Sequence, residues 1–316
     1  MAHRKIEQDI ERLSALREAG RPEAAAALRK ALGDRVNLVA AKAAKMAAEL
    51  ELRELVPDLV RAFDRLFEDA TERDPQCWAK NAIAKALVDL DHRDSPPFVR
   101  GMRHVQMESS YGGAVDTATT LRGICLLALA PCPDLTRQEV MRYLVDGLTD
   151  EAHTVRVEAV RGLEQMEGES ALLLRLKARL GDKEVEVLGQ VFDSLLKLEG
   201  ARAIPLVAEF LKAEPDTRAE AALALGSSRL AGAVDILRAA WDTARGPEFR
   251  DAILRALSIS RQDNAMEFLL ALVKTGRAAD AKQALDALEL HKDSLEIQRR
   301  VKEAEFERKE RMEGRG

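Results

Sequence analysis

The groups in this chain that could do covalent or acid–base chemistry are five histidines, three cysteines and 54 acidic side chains spread over 316 residues. A helical zinc hydrolase needs two histidines one turn apart with a glutamate between them. None of His3, His92, His104, His153 and His291 has that spacing or a cysteine pair beside it. Cys77, Cys125 and Cys132 are too few for a disulfide scaffold and lack the paired spacing of a zinc site. Tyr111-Gly112-Gly113 is not the glycine-rich loop that cradles phosphates, and no GxSxG elbow presents a serine nucleophile. The carboxylates fall at ordinary helix-surface spacing, where no catalytic pair separates from the background. No catalytic residue, metal or cofactor is expected from these residues, and the chain reads as non-enzymatic.

Binding is better served. Residues 92–116 break the rhythm of the rest: His92-Arg93-Asp94-Ser95-Pro96-Pro97, a short helix expected through Met107, then Glu108-Ser109-Ser110-Tyr111-Gly112-Gly113. Pro96-Pro97 are expected to end the preceding helix, and the glycines permit a tight turn. Arg100, Arg103 and His104 lie within about a turn of one another, and Tyr111 follows on a glycine-flanked loop. Arginine and tyrosine are favoured interface anchors because they bury much area while still offering hydrogen bonds. The segment is either a tolerated loop or a partner-contact site made of Arg100, Arg103, His104 and Tyr111.

The elements that must position these residues are helices. Apolar residues make up 47 % and aromatics only 4 %, which suits stacked amphipathic helices rather than sheets. Small or apolar residues recur at four-residue spacing, in triplets that lie along one helix face. The triplets are Val39/Ala43/Ala47, Ala79/Ile83/Leu87, Leu121/Cys125/Leu129 and Val155/Ala159/Leu163, then Val187/Val191/Leu195, Thr217/Ala221/Leu225, Phe249/Ile253/Leu257 and Asp280/Ala284/Leu288. Their middle residues, the anchors, stand roughly 30–40 residues apart, the period of paired-helix repeats. A second apolar helix precedes each triplet. Two of these first helices contain Pro57 and Pro205, which are expected to kink or terminate them.

Segments such as Ala203-Ile204-Pro205-Leu206, and Asp150 followed by Val155-Arg156-Val157-Glu158-Ala159, resemble HEAT repeats of the short PBS-lyase HEAT-like kind, with an armadillo-type fold. The resemblance covers about residues 22–293 and is best from 135 onward. It implies an all-α, right-handed α-solenoid of about eight helical hairpins. Three residues before the anchors stand Lys80, Arg122, Arg156, Arg218 and Arg250 in five of the repeats. Nine residues before them stand Asp34, Asp74, Asp116, Asp150 and Asp182 in the first five. In HEAT repeats such positions form an acid–base ladder between hairpins, and the resemblance implies one for Lys80, Arg122 and Arg156. A basic spine touching phosphates is the alternative.

Both ends look like caps, which an open array needs over its terminal apolar faces. Residues 1–21 are expected to form an N-terminal capping helix, 22–293 the repeat array, and 294–316 a charged C-terminal helix and tail, with Asp293 and Glu296 at capping-box spacing. A net charge of −5 gives no global attraction to nucleic acid or anionic membrane. The expected function is a cytoplasmic, non-enzymatic scaffold or adaptor that binds a protein partner on its concave second-helix face. Two alternatives follow from the resemblance: a nucleic-acid-binding DNA glycosylase and a bilin-lyase-like protein.

Overall fold

Each recurring triplet folds as the buried stripe of a helix. The computed structural model describes the backbone of residues 2–313, with side chains from residue 5 onward, so His3 lies outside the described side chains. Nineteen α-helices and one short hairpin make up the described chain, an all-α solenoid of helical hairpins that divides into two compact units at Met166/Glu167.

In the first unit α1 (Ala2–Ala15) precedes the pair α2 (Arg21–Leu32) and α3 (Asn37–Glu49). Next come α4 (Val56–Arg65), the one-turn α5 (Ala70–Arg73) and α6 (Trp78–Asp89). Then α7 (Ser95–Met102) leads through strands β1 (Met107–Ser110) and β2 (Gly113–Asp116) to α8 (Thr119–Ala128), and α9 (Arg137–Gly147) pairs with α10 (His153–Met166). The second unit holds the pairs α11 (Ser170–Leu180) with α12 (Val185–Glu199) and α13 (Ile204–Glu209) with α14 (Pro215–Ser227). It continues with α15 (Ala231–Thr243) and α16 (Pro247–Ser260), α17 (Asp263–Thr275) and α18 (Ala278–Leu288), and finally α19 (Leu295–Glu313).

All eight anchors are fully buried, at 0 % exposure: Ala43, Ile83, Cys125, Ala159, Val191, Ala221, Ile253 and Ala284. Small residues at these places let successive second helices approach closely. At Gly226 on α14 an added Cβ would stand 2.2 Å from the Ala256 carbonyl oxygen of α16, so glycine is required by the approach of that backbone. Helix α19 packs on α17 and buries Val301 and Ala304.

The prolines act differently from expectation. Pro57 and Pro205 sit in the first turns of α4 and α13, and neither kinks a helix. A first-turn residue has no intrahelical acceptor for its N–H, so proline there loses nothing and presets φ. Pro96 and Pro97 likewise open α7 instead of ending α6, which stops at Asp89. The helix expected through Met107 ends at Met102, and residues 107–116 form an antiparallel ribbon. Helix α19 begins after Ser294, whose Oγ faces the Ile297 amide at 3.5 Å, so Asp293 lies one residue outside the cap position.

Candidate functional site

The hairpin is an insertion between the two helices of the third repeat, and its base is built from polar groups that sequence reasoning passed over. Its register pairs Met107 with Asp116, Glu108 with Val115, Ser109 with Ala114 and Ser110 with Gly113, leaving Tyr111-Gly112 as the turn. Because side chains alternate along a strand, Glu108 points to one face and Met107, Ala114 and Asp116 to the other.

Gln106, 2 % exposed, holds the base together. Its amide donates to Asp116 Oδ1 (3.1 Å), and its carbonyl oxygen accepts from the Thr117 amide (2.9 Å). Its Nε2 donates to the Asp74 carbonyl oxygen (2.9 Å) and to Glu108 Oε1 (2.6 Å). Its Oε1 can only accept, so the His104 Nε2 at 3.0 Å carries the proton. Burial lowers the His104 pKa below its ordinary value, so this imidazole is neutral at pH 7. Glu108 Oε1 also takes Thr117 Oγ1 (2.7 Å) and the Gln76 amide (2.7 Å). Burial pushes the Glu108 carboxyl up, but hydrogen bonds from Thr117, Gln106 and Gln76 outweigh it and hold the pKa below the usual range.

Two ladder pairs flank this base. Lys80 and Asp74 form a fully buried ion pair at 3.2 Å, and Asp74 also accepts from the amides of Ala79 and Lys80 and from Asn37 of the first repeat. Arg122 contacts Asp116 of its own repeat and grips Asp150 of the next through Nε (2.9 Å) and Nη2 (3.0 Å). Arg156 donates to the carbonyl oxygens of Asp150 (2.7 Å) and Glu151 (2.9 Å).

Of the four residues singled out in sequence, Arg100 and His104 meet at the Phe67 ring, and Arg103 and Tyr111 do not join them. Arg100 pairs with Asp64 (2.6 Å) and lies over the Phe67 ring, whose edge His104 also meets. Arg103 instead lies over Tyr143 of α9. Tyr111 stands alone at the hairpin turn, fully exposed. What the sequence did not offer is the apolar surface beside it: Val105, Met107 and Val115 are all exposed. A groove of about 630 Å³ lies between the hairpin and helices α9 and α10, lined by Val105, Met107, Ala114, Leu126 and Val155. Asp146 and Glu151 also line it, and their carboxylates make no ion pair among the described residues.

Thiol chemistry is not favoured anywhere in this unit. Burial pushes Cys77 and Cys132 up to about 11 and Cys125 higher still, so all three are protonated at neutral pH. Among the described residues no three His, Cys, Asp or Glu side chains gather as a metal-ligand set.

Comparison with known proteins bears on the repeats. Residues 205–289, from α13 to just past α18, match the family profile of HEAT repeats. Residues 205–289 are HEAT repeats. No curated protein sequence matches it. Among solved structures, human deoxyhypusine hydroxylase in complex with glycerol is similar over 89 % of this chain and 89 % of that chain, at 19 % identity and a TM-score of 0.27. The expectation of a non-enzymatic scaffold or adaptor is corrected beside that finding: the structure is of a hydroxylase, and nothing in the comparisons makes this chain non-enzymatic. A repeat that supplies only a framework does not by itself exclude catalysis. At that TM-score the likeness carries no reaction or substrate over to this chain.

Proposed function

We propose that the protein binds an extended polypeptide segment in the groove between the β-hairpin and helices α9 and α10. What carries this is a contrast within ten residues. The hairpin base is fixed by buried hydrogen bonds at Gln106 and Glu108, while Val105 and Met107 on the groove and Tyr111 at the turn are left in water. Exposed apolar side chains on a rigid mount are what a binding surface needs, since little freedom is lost when a partner docks. A two-stranded ribbon also leaves unpaired backbone groups on its outer edges, which an added strand can satisfy.

The uncommitted charges choose the partner chemistry. Asp146 and Glu151 outnumber Arg103, a cation on the same groove that also makes no ion pair among the described residues, so the groove favours a segment with a lysine or arginine next to an apolar residue and disfavours a phosphate backbone. A cytoplasmic setting belongs to the same proposal; Cys77, Cys125 and Cys132 are buried free thiols, as in a reducing compartment. No helix among the described residues is long and apolar enough to cross a membrane.

The test is affinity capture from the host with quantitative mass spectrometry, comparing wild type with Met107→Asp combined with Tyr111→Ala. The double variant is expected to lose the captured protein while keeping helicity and melting temperature, because both side chains are exposed. Capture that survives unchanged would sink the proposal.

A further inference from the structure

A second site lies in the other unit, at a place where the acid–base ladder is interrupted. The base three residues before the anchor meets an oxygen in each of the other repeats that carries one. Lys80 meets Asp74, Arg122 meets Asp116 and Asp150, Arg156 meets two carbonyls, and Arg250 meets Asp280 at 2.8 Å. In the sixth repeat that base is Arg218. Nine residues before its anchor Ala221 stands Lys212 where earlier repeats have aspartate. Nine before the next anchor, Ile253, stands Ala244, the position from which Asp150 answers Arg122. Four before Ile253, where Asp280 stands in the repeat that answers Arg250, is Phe249, so the acid is missing at all three positions.

The consequence is visible at the side chain. Arg218 Nε is buried without a hydrogen-bond partner, and the guanidinium makes no ion pair among the described residues. It lies over the Phe249 ring, 4.5 Å from the centroid, which fixes its plane but supplies no acceptor. Arg218 and Phe249 line a cavity of about 610 Å³ together with Lys212, Arg245 and the apolar Pro205, Leu211 and Ile236. Lys212 and Arg245 are likewise without ion pairs among the described residues. Glu209 also lines the cavity, but Arg179 holds both its carboxylate oxygens.

We infer that this cavity binds a small organic anion, a carboxylate carried on an apolar body. The volume is that of a small-molecule site, with apolar walls and a few polar groups of one sign. A carboxylate would supply the acceptor that Arg218 lacks, in the planar geometry a guanidinium matches best, with Lys212 and Arg245 adding charge. The apolar body would cover Pro205, Leu211, Ile236 and Phe249. The site is separate from the hairpin groove and does not depend on it.

The probe is sodium octanoate, titrated calorimetrically into the full chain, with octan-1-ol as the uncharged control. One saturable octanoate site is expected, with octanol at least tenfold weaker. Arg218→Gln should weaken octanoate at least tenfold without lowering the melting temperature, because it removes a partly buried unpaired charge. The second variant is Ala244→Asp, which returns the missing ladder acid. It should abolish octanoate binding and raise the melting temperature. Equal binding of octanol and octanoate would overturn the inference, as would full octanoate affinity in both variants. A second arm uses acetyl-Leu-Asp-Leu-amide, which presents the same groups from a polypeptide. If it binds more tightly than octanoate, a protein side chain is the source of the anion and the small-molecule assignment fails.

Discussion

Arg122 on α8 holds Asp150, 28 residues later, through two nitrogens at 2.9 and 3.0 Å, and so ties the third repeat to the fourth. The guanidinium is 6 % exposed and also contacts Asp116 and the His104 carbonyl oxygen. One side chain thus connects the base of the hairpin to the stacking of the array.

Removing that cation leaves two partly buried carboxylates facing each other without compensation. Arg122→Ala is expected to cost about 3–5 kcal/mol, the range for breaking a buried ion pair from one side. Arg156→Ala loses, among its contacts, the donors to the carbonyls of Asp150 and Glu151 and should cost about 1–3 kcal/mol. Urea midpoints for the two variants give the ranking; Arg156→Ala proving the more damaging would contradict this assignment.

The buried stripes should be the least tolerant positions to charge. Ala159 and Leu225 are fully buried, so an aspartate at either enters a packed interface with no partner. Each is expected to cost more than about 4 kcal/mol, in the range reserved for buried unpaired charge. Thermal melts showing Ala159→Asp milder than Arg156→Ala would reverse the faces given to α10.

Two glycines on helices of the second unit separate a backbone obstacle from a side-chain one. A Cβ at Gly226 would stand 2.2 Å from the Ala256 oxygen and 2.7 Å from its carbonyl carbon, so α14 and α16 would have to part. Gly226→Ala is expected to cost about 1–3 kcal/mol despite the better helix propensity of alanine. A Cβ at Gly189 would meet the Glu220 carboxylate at 2.5 Å, and that side chain can swing away. Gly189→Ala should be near neutral. Similar denaturation midpoints for the two would show that the array flexes more easily than close packing allows.

The repeat was legible because it is local and periodic. Eight anchors chosen at four-residue spacing are eight residues at 0 % exposure. The triplets fail only at Thr217 and Asp280, half-buried first-turn residues, and Asp280 is there to take Arg250. The hairpin was not legible as such. Met107–Ser110 and Gly113–Asp116 are runs of four flanking a two-residue turn, short enough to read as a helix end and a loop. A two-residue turn with glycine between such runs was the available signal. Gln106 gave none: its importance comes from the Asp74 carbonyl 32 residues earlier, and no local pattern reports such a partner. Arg103 looked like a free anchor for the same reason, since Tyr143 comes 40 residues later in the next repeat.

The last prediction concerns pH and the hairpin mount. The Glu108 carboxyl is pushed up by burial but held lower overall by its donors from Thr117, Gln106 and Gln76. Asp116 is likewise pushed up by burial and held lower overall by the amides of Gln106 and Ala118 and by Arg122. A carboxylate whose folded pKa lies below its unfolded value binds fewer protons when folded. Its stabilisation is complete above the unfolded value and is lost as pH falls through the folded one. With ordinary carboxyl values near 3.9–4.3, the hairpin base should be intact at pH 6 and loosen below about pH 4. Amide hydrogen exchange at Gln76 and Gln106, corrected for the intrinsic rate, should therefore quicken relative to the α6 core as pH is lowered. In Glu108→Gln the Gln76 amide should exchange faster already at pH 6, and the acid-induced change there should shrink, because the titrating acceptor is gone. Protection at Gln76 that is equal in wild type and variant across the whole range would mean that Glu108 does not hold the hairpin in place.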